Sequence, residues 1–141
     1  MIKEREIHGK ESITMTDCSC GGGVKSYLIY SCSGACDTAE ISDLAARKLR
    51  ASGVGKMYCL AGIGANLPNF IEQAKGADLN IVIDGCSVNC GQKIFEGKGA
   101  KTKCFTVTDF GMEKGKSPVT PENIKKVVDG VKKRIGCQGR C

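Results

Sequence analysis

The chain alternates short, continuous apolar runs with longer stretches in which apolar side chains recur every three or four positions. A short apolar run is typical of a strand buried on both faces, and the longer period is typical of an amphipathic helix. The predicted strands are Tyr27–Tyr30, Lys56–Ala61, Leu79–Ile83 and Cys104–Thr108. The predicted helices run from about Asp37 to Ala51, over Leu67 to Ala74, from Cys90 to about Phe95 and from Thr120 to Ile135.

This alternation of strands and helices predicts a parallel sheet with helices packed on both of its faces. We therefore expect a single three-layer α/β domain of about four parallel strands, Rossmann-like or flavodoxin-like. Neither an internal repeat nor a domain linker interrupts the pattern. Residues 1–17 are polar without a strong period, so they are expected to form a flexible N-terminal arm before a domain that covers residues 18–141.

The composition excludes several classes of protein. With 41% hydrophobic and 26% charged residues, the 141-residue chain has enough apolar side chains for one core and is not a disordered sequence. No apolar run approaches the roughly 20 residues of a membrane span. The charged start, Met1–His8, lacks the apolar segment of a signal peptide. We therefore expect a cytoplasmic protein without a membrane partner.

The positive charge is a weak argument for a nucleic-acid partner. The formal net charge of +6 counts every thiol as neutral, and thiolates bound to a metal ion would reduce it. Only 5% of the residues are aromatic and none is tryptophan, which disfavours platforms for base stacking. We therefore expect no nucleic-acid partner, and the protein partner, if there is one, is left open.

The ten cysteines are the unusual feature of the composition. In a reducing compartment, clustered cysteines are more often metal ligands or redox groups than structural disulfides. Cys32, Cys59 and Cys86 each lie at or just after the end of a predicted strand, and Cys90 follows one helical turn later. These thiols meet only if their strands are neighbours, and the strand order 2-1-3-4 achieves this with ordinary right-handed crossovers.

Four thiols at one edge of a sheet suit Zn²⁺, which prefers a tetrahedron of soft ligands. Cys86 and Cys90 are four residues apart at a helix start, so both sulfurs lie on one side of that helix. Helix N-termini after the first and third strands would favour the thiolate form. The alternative is that Cys59 and Cys104, which lie in apolar strands, are buried small hydrophobic residues.

The remaining candidate ligands leave several roles open. Cys36 lies four residues after Cys32, so it is a fifth thiol at the cluster, a substitute ligand, a resolving cysteine or an accessible residue of the first helical turn. The only histidine, His8, is expected to be a tail residue rather than a ligand. Four cysteines near the chain ends would form a second metal site if those ends meet; they are Cys18, Cys20, Cys137 and Cys141.

Other site chemistries find little support. The phosphate-binding pattern G-x-x-x-x-G-K-[ST] is absent. A low-molecular-weight phosphatase or arsenate reductase would carry an arginine six residues after its loop cysteine, but Thr38 stands at that distance from Cys32 and the loop contains the acidic Asp37. A single histidine offers no Cys–His nucleophile pair. We therefore expect a binding module rather than an enzyme.

Several motifs, taken in order, resemble the DGC family, a group of zinc-binding bacterial and archaeal proteins of unknown role. The matching segments are Cys18–Gly23, Ser31–Gly34 with Asp37, Cys59–Gly64, Asp84–Cys86 with Cys90, Lys93 and Thr108–Gly111. The resemblance covers about residues 18–135 and implies a zinc site whose ligands are Cys32, Cys59, Cys86 and Cys90. Cys36 and the C-terminal cysteine pair lie outside the family pattern.

The leading hypothesis is a cytoplasmic zinc-binding module that serves metal handling, metal sensing or partner binding. The alternative is a thiol-dependent redox or metalloid-handling enzyme that uses the Cys32/Cys36 or the Cys86/Cys90 pair. A third reading is a purely structural metal site in an interaction domain.

Overall fold

The computed structural model describes residues 25–34 and 36–136. The predicted arm, residues 1–17, lies outside these ranges, as do His8 and the four cysteines near the chain ends. Across the described residues, no helix combines the length and the apolar character needed to cross a membrane.

Strands and helices alternate along the described chain. The strands are β1 (Tyr27–Ser31), β2 (Lys56–Met57), β3 (Leu79–Asp84) and β4 (Thr102–Thr106). The helices are α1 (Asp37–Ala51), α2 (Leu60–Gly64), α3 (Pro68–Gly76), α4 (Cys90–Phe95) and α5 (Pro121–Ile135), with a 3₁₀ turn at Val107–Phe110.

The four strands form one parallel sheet in the order β2-β1-β3-β4. Strand β1 pairs with β3 along its whole length, from Tyr27 opposite Leu79 to Ser31 opposite Ile83. The single α/β domain and the predicted strand order are thereby confirmed. Because all four strands run the same way, their carboxyl ends lie at one edge of the sheet.

The helices divide between the two faces of the sheet. Helices α1 and α5, each 15 residues long, cover one face, where 14 buried residues form the larger core, including Ile29, Leu49 and Val127. The shorter helices α2, α3 and α4 cover the other face over a cluster of seven buried residues, including Tyr30 and Ile63. The aromatic rings of this smaller cluster meet edge to face, as Tyr30 and Phe95 do at 4.8 Å between centroids.

Two segments depart from the predicted pattern. Strand β2 ends at Met57, and the residues that continue the predicted strand begin the short helix α2 instead. A Cβ atom at Gly62 would lie 2.5 Å from the Phe70 ring, so this turn of helix packs too closely on its neighbour for a larger residue. Strand β4 begins at Thr102, two residues before the predicted strand, and Val107 already starts the 3₁₀ turn.

Helix α5 is terminated by local signals at both ends. The Thr120 hydroxyl accepts a hydrogen bond from the Asn123 backbone N–H at 3.3 Å, and Pro121 occupies the first helical position. Gly136 follows the last turn with φ at 80°, the left-handed conformation in which a helix commonly ends. These signals explain why the predicted and observed bounds of this helix agree.

Candidate thiol site at the carboxyl ends of the strands

The four predicted zinc ligands lie at one end of three neighbouring strands. Cys32 directly follows β1, Cys59 lies two residues after β2, and Cys86 lies two residues after β3. Cys90 is the first residue of α4, the helix that leads away from β3. This common location follows from the parallel sheet and its strand order, because scattered sequence positions are brought to one edge.

Cys32 is the ligand candidate that is held most firmly. Its backbone N–H donates to the Ile83 carbonyl at 2.9 Å, and its own carbonyl accepts a hydrogen bond from the Ser42 hydroxyl at 2.5 Å. These bonds anchor the residue to both β3 and α1, so its half-buried side chain starts from a fixed point at the sheet edge.

Opposing effects act on the pKa of the Cys32 thiol. Burial raises the pKa of the Cys32 thiol, and the nearby charges of Asp84 and Cys90 raise it further. The backbone N–H groups of Gly85 and Gly34 act in the opposite direction by hydrogen bonding to the sulfur. With its pKa raised, Cys32 is a weak nucleophile by itself but remains a potential soft ligand, which a bound cation would stabilise as the thiolate.

Asp84 was recognised in the sequence only as part of the Asp84–Cys86 motif, and its role at the site was missed. It ends β3 with a side chain only 1% exposed. One carboxylate oxygen accepts the Gly91 backbone N–H at 2.7 Å and the other accepts the Gln92 N–H at 2.9 Å. Asp84 therefore caps the first turn of α4 from the end of the strand. The available signal was an acidic residue at the end of an apolar run, a few residues before a predicted helix.

Two glycines allow close contact around Asp84. A Cβ atom at Gly85 would lie 2.6 Å from the Ala39 Cα atom, so α1 passes directly over this residue. A Cβ atom at Gly91 would lie 2.9 Å from an Asp84 carboxylate oxygen and 2.7 Å from Val82. The Asp-Gly-Cys segment thus joins a buried cap, a helix contact and a thiol in three consecutive residues.

Cys59 and Cys86 lie in the turns that lead into α2 and α4. Cys59 is exposed and precedes the first residue of α2, so the alternative prediction that it is a buried residue inside a strand is wrong. The reason is the early end of β2, which turns this segment out of the sheet. Cys86 is half-buried, and its carbonyl accepts the Asn89 N–H at 3.0 Å. Asn89 has φ at 51°, and its side-chain oxygen accepts the Thr106 hydroxyl at 2.9 Å.

Cys36 occupies a separate position at the N-terminus of α1. Its sulfur lies 3.4 Å from the Thr38 hydroxyl. That hydrogen bond is the main reason why the pKa of the Cys36 thiol is lowered; the Ala39 N–H and the Lys114 charge lower it too, whereas burial opposes them. Cys36 therefore has a stronger tendency to form the thiolate than an ordinary cysteine.

A glycine-containing basic loop is fastened beside Cys36. The Asp37 carboxylate accepts the Gly115 N–H at 2.8 Å and the Ser117 N–H at 3.0 Å. The Gly115 bond contributes most to the lowered pKa of Asp37. This carboxylate brings Lys114 close to the start of α1 although the two segments are far apart in the sequence.

Cys104 belongs to the core rather than to the strand-end site. It is half-buried in β4 and packs against the smaller core cluster. Burial, with smaller contributions from Asp84 and Glu96, raises the pKa of its thiol to about 11. These properties agree with the alternative reading of Cys104 as a small hydrophobic residue.

The strand-end thiols do not form a ready-made metal cage in their present rotamers. Within residues 25–34 and 36–136, no three cysteine, histidine or acidic side chains are grouped closely enough to hold a metal ion. Cys32 and Cys90 are near enough for the charge of one to affect the other. The donor set nevertheless fits zinc in chemical type, since it offers four sulfur atoms on segments that end at one edge.

Comparison with known proteins identifies the family. The DGC domain matches residues 28–131, about three quarters of the chain. The chain belongs to the DGC family. The matched part contains all six cysteines of the described residues, whereas the cysteines near the chain ends lie outside it.

A curated relative supports the same relationship. Over 88 residues the chain is 26% identical to the anaerobic and virulence modulator AnvM of Pseudomonas aeruginosa. The alignment covers 62% of this chain and 67% of that protein. No solved structure matches the chain.

Proposed function

We propose that this DGC-family protein binds zinc through Cys32, Cys59, Cys86 and Cys90, and that the bound ion serves metal handling, metal sensing or contact with a partner. The observation that carries the proposal is the common end of three adjacent strands at which all four residues lie. Thiolates of this number and type are the usual donors of a four-coordinate zinc site.

The accessibility of the donors favours an exchangeable ion over a purely structural one. Cys59 and Cys90 are exposed, and neither belongs to the two core clusters. None of the four proposed donors is among the 14 buried residues of the core on the α1 and α5 face. Bound zinc would link the segments after β1, β2 and β3, and its loss would release them.

The proposed ligands differ in how firmly the fold holds their backbone. Cys32 is anchored by backbone hydrogen bonds to β3 and α1, as described above. Cys59, in contrast, starts a five-residue helix that begins just beyond a two-residue edge strand. Binding of one ion by all four residues would require the sulfur atoms to move closer together than they are in the present structure.

A regulatory use of the site is supported by the name of the relative. AnvM is named a modulator, which describes that protein. We extend this to the present chain only as part of the proposal: an accessible thiol site whose occupancy changes with metal supply suits a sensor or modulator better than a catalyst.

The first experiment is metal analysis of protein purified under reducing conditions, together with a count of free thiols. We expect about one Zn²⁺ per chain, as four thiolates saturate a tetrahedral ion. Cys86→Ser and Cys90→Ser should lose it. Cys104→Ser is the matched control, because it also removes a half-buried thiol but lies in β4 outside the set. Full zinc content in both Cys86→Ser and Cys90→Ser would contradict the proposed ligands.

The lowered pKa of Cys36 favours a second candidate function, thiol-dependent redox chemistry. The Cys36 thiolate would attack a disulfide of a partner molecule, and Cys32 would then displace the remaining partner thiol. The products are a Cys32–Cys36 disulfide and two partner thiols, so electrons and protons balance.

Oxidised glutathione is the probe for this second candidate. The metal-free protein is treated with it, and the products are mapped by peptide analysis. Rapid formation of a Cys32–Cys36 bridge that thioredoxin-type reductants reverse would favour the redox function. The same map reports a Cys86–Cys90 bridge. Absence of both bridges would leave the redox function without its residues.

A further inference from the structure

The end of β3 contacts both Cys32, the most firmly anchored of the four cysteines, and the helix that begins with the exposed Cys90. The Ile83 carbonyl accepts the Cys32 backbone N–H at 2.9 Å. The next residue, Asp84, accepts the Gly91 and Gln92 N–H groups of α4, whose first residue is Cys90. Two consecutive residues of one strand therefore connect Cys32 with Cys90.

A carboxylate is the only side chain of this size that can accept both helix N–H groups. An asparagine of the same shape has one acceptor oxygen, and its NH₂ group would face a second N–H donor. Asp84 is also fully enclosed, so water cannot replace either bond. The two bonds to this carboxylate therefore help to fix the position of α4, and with it the position of Cys90.

The surroundings leave α4 little freedom to find another position. Gly91 lies against Asp84 and Val82 so closely that no Cβ atom fits there. Asn89, just before the helix, is tied to Thr106 at the end of β4. The start of α4 is thus held from β3 and from β4, and the charged contact is the one from β3.

We infer that Asp84 is a positioning residue of the thiol site: its two carboxylate oxygens hold the first turn of α4, and with it Cys90, against the end of β3, where Cys32 is also anchored. This inference rests on the proposed function for its role in metal binding, but the geometric part stands independently. Asp84 lies outside the proposed ligand set, and each of its oxygens accepts a backbone N–H group of α4. Its buried negative charge adds to that of the thiolates and so favours a cation as the ligand.

The metal-dependent test uses Co²⁺ as a spectroscopic probe on the reduced full-length chain. Removal of a residue that orients a ligand weakens metal binding about 10- to 100-fold. We therefore expect Asp84→Asn to bind Co²⁺ at least about tenfold more weakly and to show weaker tetrahedral d–d absorption. Val128→Ala, a buried change in α5 far from the thiols, is the control for lost stability and should bind Co²⁺ as the parent chain does.

The metal-independent test measures the closeness of the two thiols with dibromobimane, which fluoresces strongly when both of its arms have alkylated cysteines. Peptide mapping identifies the linked pair in metal-free protein. We expect a Cys32–Cys90 link in the parent chain and a severalfold lower yield of it in Asp84→Asn. Gly91→Ala is the second variant, because it keeps the carboxylate but pushes the helix away from it, and it should lower the yield in the same way.

The two tests separate the two levels of the inference. If both variants give a lower yield of the Cys32–Cys90 link and the parent chain binds no Co²⁺, the positioning role is supported and the zinc function is overturned. An unchanged link in Asp84→Asn and Gly91→Ala would overturn the positioning role, whatever the metal result. Equal loss of Co²⁺ binding in Val128→Ala would do the same, since the effect would then be one of general stability.

Discussion

The two faces of the sheet are built in different ways. On one face, two 15-residue helices pack on each other and on the strands over a core of 14 buried residues. On the other face, three helices of five, nine and six residues cover a cluster half that size. Cys59 and Cys90 lie at the starts of two of these short helices. The comparison teaches that the stable half of the domain and the half that bears the accessible thiols are separate layers.

The largest expected effect comes from removing volume on the long-helix face. Leu49 in α1 and Ile63 in α2 are both completely buried. We expect Leu49→Ala to lower the free energy of unfolding by about 3 kcal/mol and Ile63→Ala by about 2 kcal/mol, since short helices can close partly over a cavity. Urea unfolding of both variants measures the difference. A larger loss for Ile63→Ala would show that the smaller cluster is the rigid one.

Adding a methyl group should destabilise the short-helix face more than the long-helix face, which is the reverse of the order expected for removing volume. Gly62 in α2 and Gly130 in α5 each face a phenylalanine ring at a distance too short for a Cβ atom, the rings being Phe70 and Phe110. The Phe70 ring is packed against Tyr58 at 5.2 Å and cannot move freely. We therefore expect Gly62→Ala to destabilise the domain by about 2 kcal/mol.

Gly130→Ala is the matched variant on the long-helix face. The Phe110 ring comes from the 3₁₀ turn outside α5, packs partly buried against the larger core and lies under the Arg134 guanidinium at 4.7 Å. Alanine also favours the helix by about 1 kcal/mol over glycine, which offsets part of the clash. We expect a loss of about 1 kcal/mol or less. Thermal unfolding of both alanine variants measures which one is destabilised more. Equal losses of stability would contradict the proposal that the contact at Gly62 is less able to adjust than the contact at Gly130.

The smallest expected effect is the pH dependence that the core thiol of Cys104 contributes to stability. The pKa of Cys104 rises from 9.0 to about 11 on folding, because burial disfavours the thiolate. The folded chain then holds its proton more tightly, so this stabilisation is present below pH 9 and is lost as the pH rises towards 11. Cys104→Ala should therefore lose less stability than the parent between those pH values. Denaturant unfolding at several pH values measures it, and parallel curves for the two chains would contradict the prediction.

Much of the fold was predictable because local signals and the global arrangement agree. The apolar runs of β1 and β3 and the stripes of α1 and α5 gave elements close to the observed ones. The strand order came from a chemical argument: thiols after three different strands have a common use only if those strands are adjacent. Helix α2 was missed because glycines at positions 62 and 64 indicate a turn, while contact with Phe70 is what makes a helical turn fit there.

The location of the thiol site was predictable from the sequence, but the hydrogen bonds that hold its surroundings in place were not. Cysteine positions relative to strand ends are visible in the sequence, so the common edge could be inferred. The role of Asp84 depends on two N–H groups seven and eight residues away, and the role of Asp37 depends on a loop 78 residues away. These hydrogen-bond partners come together only in the folded structure, so the hydrophobic pattern of the sequence does not predict them.

The central place of β1 has a consequence for the newly made chain. Among the strands of the described residues, β1 leaves the ribosome first, yet its pairing partner along the whole length is β3, which ends at Asp84. Until then β1 lacks its main neighbour, because non-local pairing has to wait for the later segment. During synthesis, Cys32, Cys36 and Cys59 are therefore free thiols on an unfinished sheet, open to oxidation or to stray metal ions. The fold itself cannot shield these thiols until β3 has joined the sheet.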